Sequence, residues 1–473
     1  MTTLARRSMR KRSPTPAAIL PILLLTTTVG LVAGVLAYAS KANALPVPFG
    51  GAAYTLRSGP FVQQGELSDE SGASGEDFGE AIAVSGRTLV AGTPNHKAAS
   101  TDLEQGAAYV FTASASGWAH ARQMAILKAP RDQSEELFGR SVAISASTIV
   151  IGAPFRDVDG HAGQGAAYVF VKPASGWSHA APPLKLTAAR GQTDEFFGES
   201  VAISGNTVTI GAPGRQVAGH AGQGAVDVFA IPASRTASPT QLAQLTAPDG
   251  MANDALGISV AVSGQTVIAG ADLHRVGTVQ QGAAYIFVKP ASGWTHARAA
   301  AQLTAEQGQT RELFGRSVAI SHDTVVVGAP DHDRIAPVHD GIAAEEGTAY
   351  VFVKPVSDWA GSLTQTAQLA ASDPGKGDQF GGALAISGAT IAVGAPGHAT
   401  GKSTEQGAGY VFAKPPTGWE NATETDELIA NDGTEGDKLG LSVALSEATI
   451  LLSAPNHEVN KTRAQGAVYS FRR

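Results

Sequence analysis

The sequence has no cysteine, few aromatic residues and little charge. Of its 473 residues, aromatics make up 6% and Asp, Glu, Lys and Arg together 16%, against roughly a quarter charged in an ordinary soluble domain. The absence of cysteine excludes a disulfide framework, a thiolate metal centre and a cysteine nucleophile. Long runs of helix formers are also missing, whereas glycine is abundant at 55 residues. Glycine weakens helices and marks turns and close backbone approaches. A helical bundle is therefore disfavoured.

The first 44 residues form a separate object. They hold Arg6, Arg7, Arg10, Lys11, Arg12 and Lys41 and no acid, followed by an apolar run from Ala17 to Ala39 and a small-x-small end at Ala42-Asn43-Ala44. This order reads as an export signal cut after Ala44, with an uncleaved membrane anchor as the alternative. The adjacent Arg6 and Arg7 loosely resemble a twin-arginine signal. In each case the remaining chain is expected outside the cytoplasm, as a secreted, periplasmic or cell-surface protein. Removing six cations from a net charge of −7 leaves −13 on residues 45–473. No basic stripe remains, so binding to nucleic acid is not expected. Membrane contact is expected only through an uncleaved N-terminal anchor.

Beyond residue 60 the chain repeats itself. Phe-Gly or Leu-Gly occurs at residues 78, 138, 197, 256, 314, 380 and 439, in steps of 60, 59, 59, 58, 66 and 59 residues. About thirteen residues after each comes Gly-Ala-Pro or a close variant, beginning at Gly92, Gly152, Gly211, Gly270, Gly328, Gly394 and Ser453. A third phrase close to QGAAYVF begins at Gln105, Gln164, Gln223, Gln281, Glu346, Gln406 and Gln465. The second copy reads as four short strands: Gly139–Ser145, Thr148–Ala153, Gln164–Val171 and Leu184–Ala188. All five tryptophans, at 118, 177, 294, 359 and 419, fall at the turn before the fourth strand, which suits a packing wedge. Repeated four-stranded units with no helix predict an all-β fold, a seven-bladed β-propeller of antiparallel blades. The chain stops one strand short of a full last unit, and Phe61 to Leu67 is expected to supply that strand. Residues 45–60 are read as a linker, within which Gly51-Ala52-Ala53-Tyr54 copies part of the third phrase.

These phrases resemble FG-GAP repeats, the units of the integrin α-subunit propeller, over roughly residues 61–473. The resemblance implies an extracytoplasmic propeller that binds a ligand or protein. Such repeats also occur in exported bacterial and other surface proteins, and beside a catalytic domain in glycosylphosphatidylinositol-specific phospholipase D. Integrin-type repeats often carry an acidic DxDxDG calcium loop between the first two strands. Here that place holds only short turns such as Ser85-Gly86-Arg87, Ser145-Ala146-Ser147 and Ser204-Gly205-Asn206, too few oxygen ligands for calcium. The short-turn variety is implied, and no cofactor is expected.

Two polar positions recur. Two residues before each Phe-Gly or Leu-Gly stands a carboxylate: Glu76, Glu136, Glu195, Asp254, Glu312, Asp378 and Asp437. Two residues after each Gly-Ala-Pro proline, or its replacement Asp272, stands a base: His96, Arg156, Arg215, His274, His332, His398 and His457. Both positions fall at the same open end of the hairpin, so two charged rings are expected on one face of the disc. Turn capping or local pairing is the simple role for them. A binding face for a glycan or protein, charged further as the histidines titrate, is the functional one. The fifth unit has the long step. Its loop holds Asp331, His332, Asp333, His339 and Asp340, of which Asp331, Asp333 and Asp340 are candidate metal ligands, although a solvated acidic insertion explains the same residues. Asp157-Val158-Asp159-Gly160 is a weaker version, and His120, His179 and His296 read as surface residues. No nucleophile elbow or phosphate loop is present.

The sequence thus points to an exported, non-catalytic propeller that binds an extracytoplasmic protein or glycan. An enzyme with an axial-channel or loop-face site and a structural envelope component are the alternatives.

Overall fold

A computed structural model describes residues 59–473 except 70–71, 98–104, 131–135, 233–238, 334–344, 402 and 447. The segment expected to direct export, most of the expected linker and the Gly51–Tyr54 phrase lie outside the described residues. Among the described residues no helix is long and apolar enough to cross a membrane. The named helical pieces are single 3-10 turns at Trp177–His179 and Trp294–His296.

The chain forms seven sheets, each built on four antiparallel strands. In the second, the strands are Ser141–Ser145, Thr148–Ala153, Ala166–Val171 and Leu184–Leu186. Ser145 lies opposite Thr148, so the first hairpin turns on two residues. The first of these, Ala146, sits at φ 51°, as a primed hairpin turn that matches strand twist requires. First strands of successive sheets pack side by side, and that of the last packs against that of the first. This ring of innermost strands makes the fold a seven-bladed propeller, as the repeats predict.

The second and third strands of each blade are buried almost throughout, because a neighbouring blade covers each face. The hydrophobic core is accordingly divided into clusters between blades. One joins Val90, Val110 and Leu127 of the first blade to Phe138, Ile151 and Trp177 of the second. Another joins Leu451 and Val468 of the last blade to Phe78, Tyr109 and Trp118 of the first. The five tryptophans are all buried, consistent with the wedge role.

The two glycine phrases meet across each blade boundary. A Cβ on Gly211 would fall on the carbonyl oxygen of Gly257 in the next blade, well inside contact distance. The same carbonyl accepts a 2.7 Å hydrogen bond from the Ser200 hydroxyl. Ser141, Ser259 and Ser317 bond the carbonyls of Gly198, Gly315 and Gly381 in the same way. At the opposite end of the innermost strands a second set of serines ties the turns together. Ser145 Oγ accepts from the Gly205 N–H, Ser204 Oγ from Gly264 and Ser263 Oγ from His322.

The ring closes as expected. Val62–Leu67 pairs antiparallel with Ala467–Arg472 and completes the seventh blade. At this seam Ser453 replaces the glycine, and Ser442 Oγ instead accepts from the Ile82 N–H at 3.0 Å.

Gly211→Ala should therefore lose more than about 3 kcal/mol, since the overpacked atom is backbone. Gly205→Ala, which meets nothing within 4 Å, should lose only about 1–2 kcal/mol for its left-handed turn. Urea unfolding of the two variants measures the difference, and equal losses would contradict the close-approach account.

Candidate functional site

The long connections, from second to third strand and from blade to blade, share one face of the disc. The two-residue turns share the other. Each recurring acid lies in a blade-to-blade connection and each recurring base in a second-to-third connection, so both reach the long-loop face. There they pair within their own blade: Glu136 with Arg156 at 2.5 Å, Glu195 with Arg215 at 2.8 Å, and Asp254 with His274 at 2.7 Å. Glu312 meets His332 at 2.6 Å, Asp378 meets His398 at 3.0 Å, Asp437 meets His457 at 2.8 Å and Glu76 meets His96 at 3.1 Å.

The pairs are not displayed as charged rings. All seven acids and six of the seven bases are buried, and the seventh, His96, keeps only 14% of its side chain exposed. The hairpin end folds over them: the tyrosine of the third phrase stands edge-on to the imidazole, as Tyr285 does to His274 and Tyr410 to His398. Burial pushes the Glu195 carboxyl up against the pull of Arg215. The Arg215 guanidinium is desolvated as well, but Asp227 and Glu195 hold it charged.

Other candidates resolve differently. Asp331 and Asp333 flank the buried His332, whose Nδ1 turns inward to Glu312. Asp340 and His339 lie outside the described residues. Burial and the Glu345 charge push the Asp331 carboxyl up to about 6. Asp157 Oδ1 accepts from the Gly163 N–H at 2.9 Å and so staples its own turn. His120 and His179 are exposed.

Some residues of the face escaped the sequence reading. Asp227 takes the place held by tyrosine in the other blades and accepts from Arg215 at 2.7 Å; the departure from QGAAYVF in a blade with arginine was the available signal. Arg140 bridges Glu80 and Glu199 across three blades. Asp373, His398 and Glu427 bring three ligand atoms within 4.8 Å of one another, the one such grouping among the described residues. An apolar arc also spans blades two to five. Phe155 is 46% exposed and Leu273 37%, and the Phe155 ring lies 5.2 Å from that of Phe196 in the next blade. Leu137, Phe196 and Leu313, each just before its Phe-Gly, have φ of 51°, 54° and 56°, a left-handed backbone that costs about 1–2 kcal/mol per bulky residue. Blades one, six and seven place Asp77, Gln379 and Lys438 at that position.

A family model described as FG-GAP repeat matches residues 61–111, 121–170, 183–229, 239–287, 298–352, 363–412 and 422–471. No curated protein matches the sequence. A structure of the Neurospora crassa Pan2 WD40 domain is similar at 10% identity and a TM-score of 0.45, over 87% of this chain and 95% of that one. A crystal structure of the mitotic checkpoint complex is similar at 10% identity and a TM-score of 0.48, over 94% of this chain and 99% of that one. Similarity at this level carries no functional information.

Arg215→Met leaves two buried carboxylates without their cation and should cost about 3–5 kcal/mol in urea unfolding; a loss below 1 kcal/mol would place the pair in solvent.

The His457–Asp437 pair fixes a pH window. Burial draws the His457 pKa down, but the bond and charge of Asp437, with Asp432 and Glu66, carry it above its ordinary 6.5. Burial raises the Asp437 carboxyl, yet its bonds to His457 and Thr434 bring it below its ordinary 3.8. The histidine's contribution to stability is full below 6.5 and is lost as pH rises through its folded value. The aspartate's is full above 3.8 and is lost as pH falls through its folded value. Tm should decline from pH 6 to pH 8, and His457→Gln should flatten that decline; an unchanged slope in the variant would refute the assignment.

Proposed function

Because the chain belongs to the FG-GAP repeat family, which is typically non-catalytic and typical of extracellular or surface proteins, we propose that it is an exported propeller that binds an extracytoplasmic protein or glycan through its long-loop face. The fold is consistent with an interaction scaffold. The basic and apolar N-terminal segment supports export.

The apolar arc carries the binding reading. Aromatic anchors in a polar setting supply most of the affinity at protein interfaces. Phe155 and Phe196 form such an anchor, with Leu273 further around the same face. Keeping leucine and phenylalanine in left-handed backbone, where Asp, Gln and Lys serve elsewhere in the ring, also fits selection for contact over stability. Recognition would then rest on the shape of one sector. The buried acid–base pairs hold the loops that present it.

The test is a pull-down from the native organism's envelope and medium with the tagged chain, beside a Phe155→Ala/Leu273→Ala variant. Both positions are exposed, so the fold should survive. A partner held by the wild type and weakened about tenfold or more in the variant is expected. Equal retention of every partner would sink the sector as the binding face.

A further inference from the structure

We propose that the sixth blade holds a divalent transition-metal site made by Asp373, His398 and Glu427, with Asp378 orienting the histidine. His398 is 5% exposed. Its Nδ1 lies 3.0 Å from Asp378 Oδ2, and because a carboxylate only accepts, Nδ1 carries the hydrogen. With Nδ1 so held, loss of the other ring proton leaves a lone pair at Nε2 for a cation. That atom faces Asp373 Oδ2 and Glu427 Oε1, each at 3.6 Å. Asp373 Oδ1 accepts from the Tyr410 hydroxyl at 3.3 Å. The arrangement is a ligating imidazole steadied by an outer carboxylate, the usual support for a metal-bound histidine.

Sister blades show what this place needs. In the fourth blade the residue corresponding to Glu427 is Gln302, whose amide donates to Asp249 Oδ2 at 3.0 Å and lies 3.3 Å from His274 Nε2. In the first blade the Lys128 ammonium stands 2.9 Å from His96 Nε2. In the third, the Arg215 guanidinium replaces imidazole and reaches Glu195 and Asp227 itself. Each of these blades places a donor or cation of the chain between the acceptors. The sixth instead places two carboxylates against the ring nitrogen; in the seventh Glu66 stands opposite Tyr469 as Glu427 does opposite Tyr410, but among the described residues only the sixth brings its three ligand atoms within 4.8 Å of one another.

Size and chemistry narrow the cation. Bonds of about 2.0–2.1 Å in tetrahedral array set ligand atoms about 3.3–3.4 Å apart, close to the two nitrogen–oxygen separations of 3.6 Å. One nitrogen and two carboxylate oxygens suit zinc or a similar transition metal better than calcium, which takes six or more oxygens. Asp373 and Glu427 keep 50% and 31% of their side chains exposed, which leaves water access to complete the coordination. This inference is independent of the partner-binding reading.

The full chain, stripped with EDTA, would be titrated calorimetrically with ZnCl2 and, in parallel, CaCl2 at pH 7.5. Saturable zinc binding without calcium binding is expected. Glu427→Gln, which copies the fourth blade, should weaken zinc about tenfold or more while its metal-free Tm holds. Gln302→Glu should create a second site of comparable affinity. Absence of saturable zinc binding in the wild type, or undiminished binding in Glu427→Gln, would overturn the site; preference for calcium would overturn the choice of metal.

Discussion

The backbone of one blade lies directly on the backbone of the next, and the architecture follows from that approach. Where Gly211 meets the Gly257 carbonyl there is no room for a side chain. The six boundaries with glycine at this position force the two phrases to recur at a fixed separation. Sheets brought this close exclude water from both faces of their middle strands. Alternating small and β-branched residues then suffice for a core, and few aromatics are required. The scarcity of aromatic residues is thus a consequence of the packing distance.

The same closeness accounts for the acid–base pairs. A connection that leaves one blade and enters the next must bury polar backbone near the crowded glycines. A carboxylate matched to a base 20 residues later ties the two connections together at this point. Buried ion pairs contribute little net stability once desolvation is counted, but they penalise every arrangement that separates the partners. The pairs are therefore best understood as fixing loop register. They leave recognition to the side chains that vary between blades.

Strand number, blade number and ring closure were legible because each rests on a short phrase copied along the chain. The partners of the recurring acids and bases were legible as well. Their burial was not, because a period reports which residues lie together and not how much water reaches them. The apolar arc and the Asp373–His398–Glu427 grouping were missed for the opposite reason. They reside largely in differences between copies, as at Phe155 and Phe196, and a search for sameness passes over such positions. Asp331 and Asp333 attracted notice as neighbours in sequence, whereas the converging carboxylates lie more than fifty residues apart and meet through the sheet.

The seam at Val62–Leu67 has a kinetic side. Its partner strand, Ala467–Arg472, lies some four hundred residues away, so the last blade is complete only when both ends of the chain have emerged. Loop-closure entropy grows slowly with length, and the equilibrium penalty of so distant a pairing is modest. The delay is larger, since non-local strand pairing is slow. Until it happens, the third strand of the last blade is an unpaired edge, able to accept a strand from another molecule. The propeller's first strand in sequence thus serves as the latch that closes its last blade.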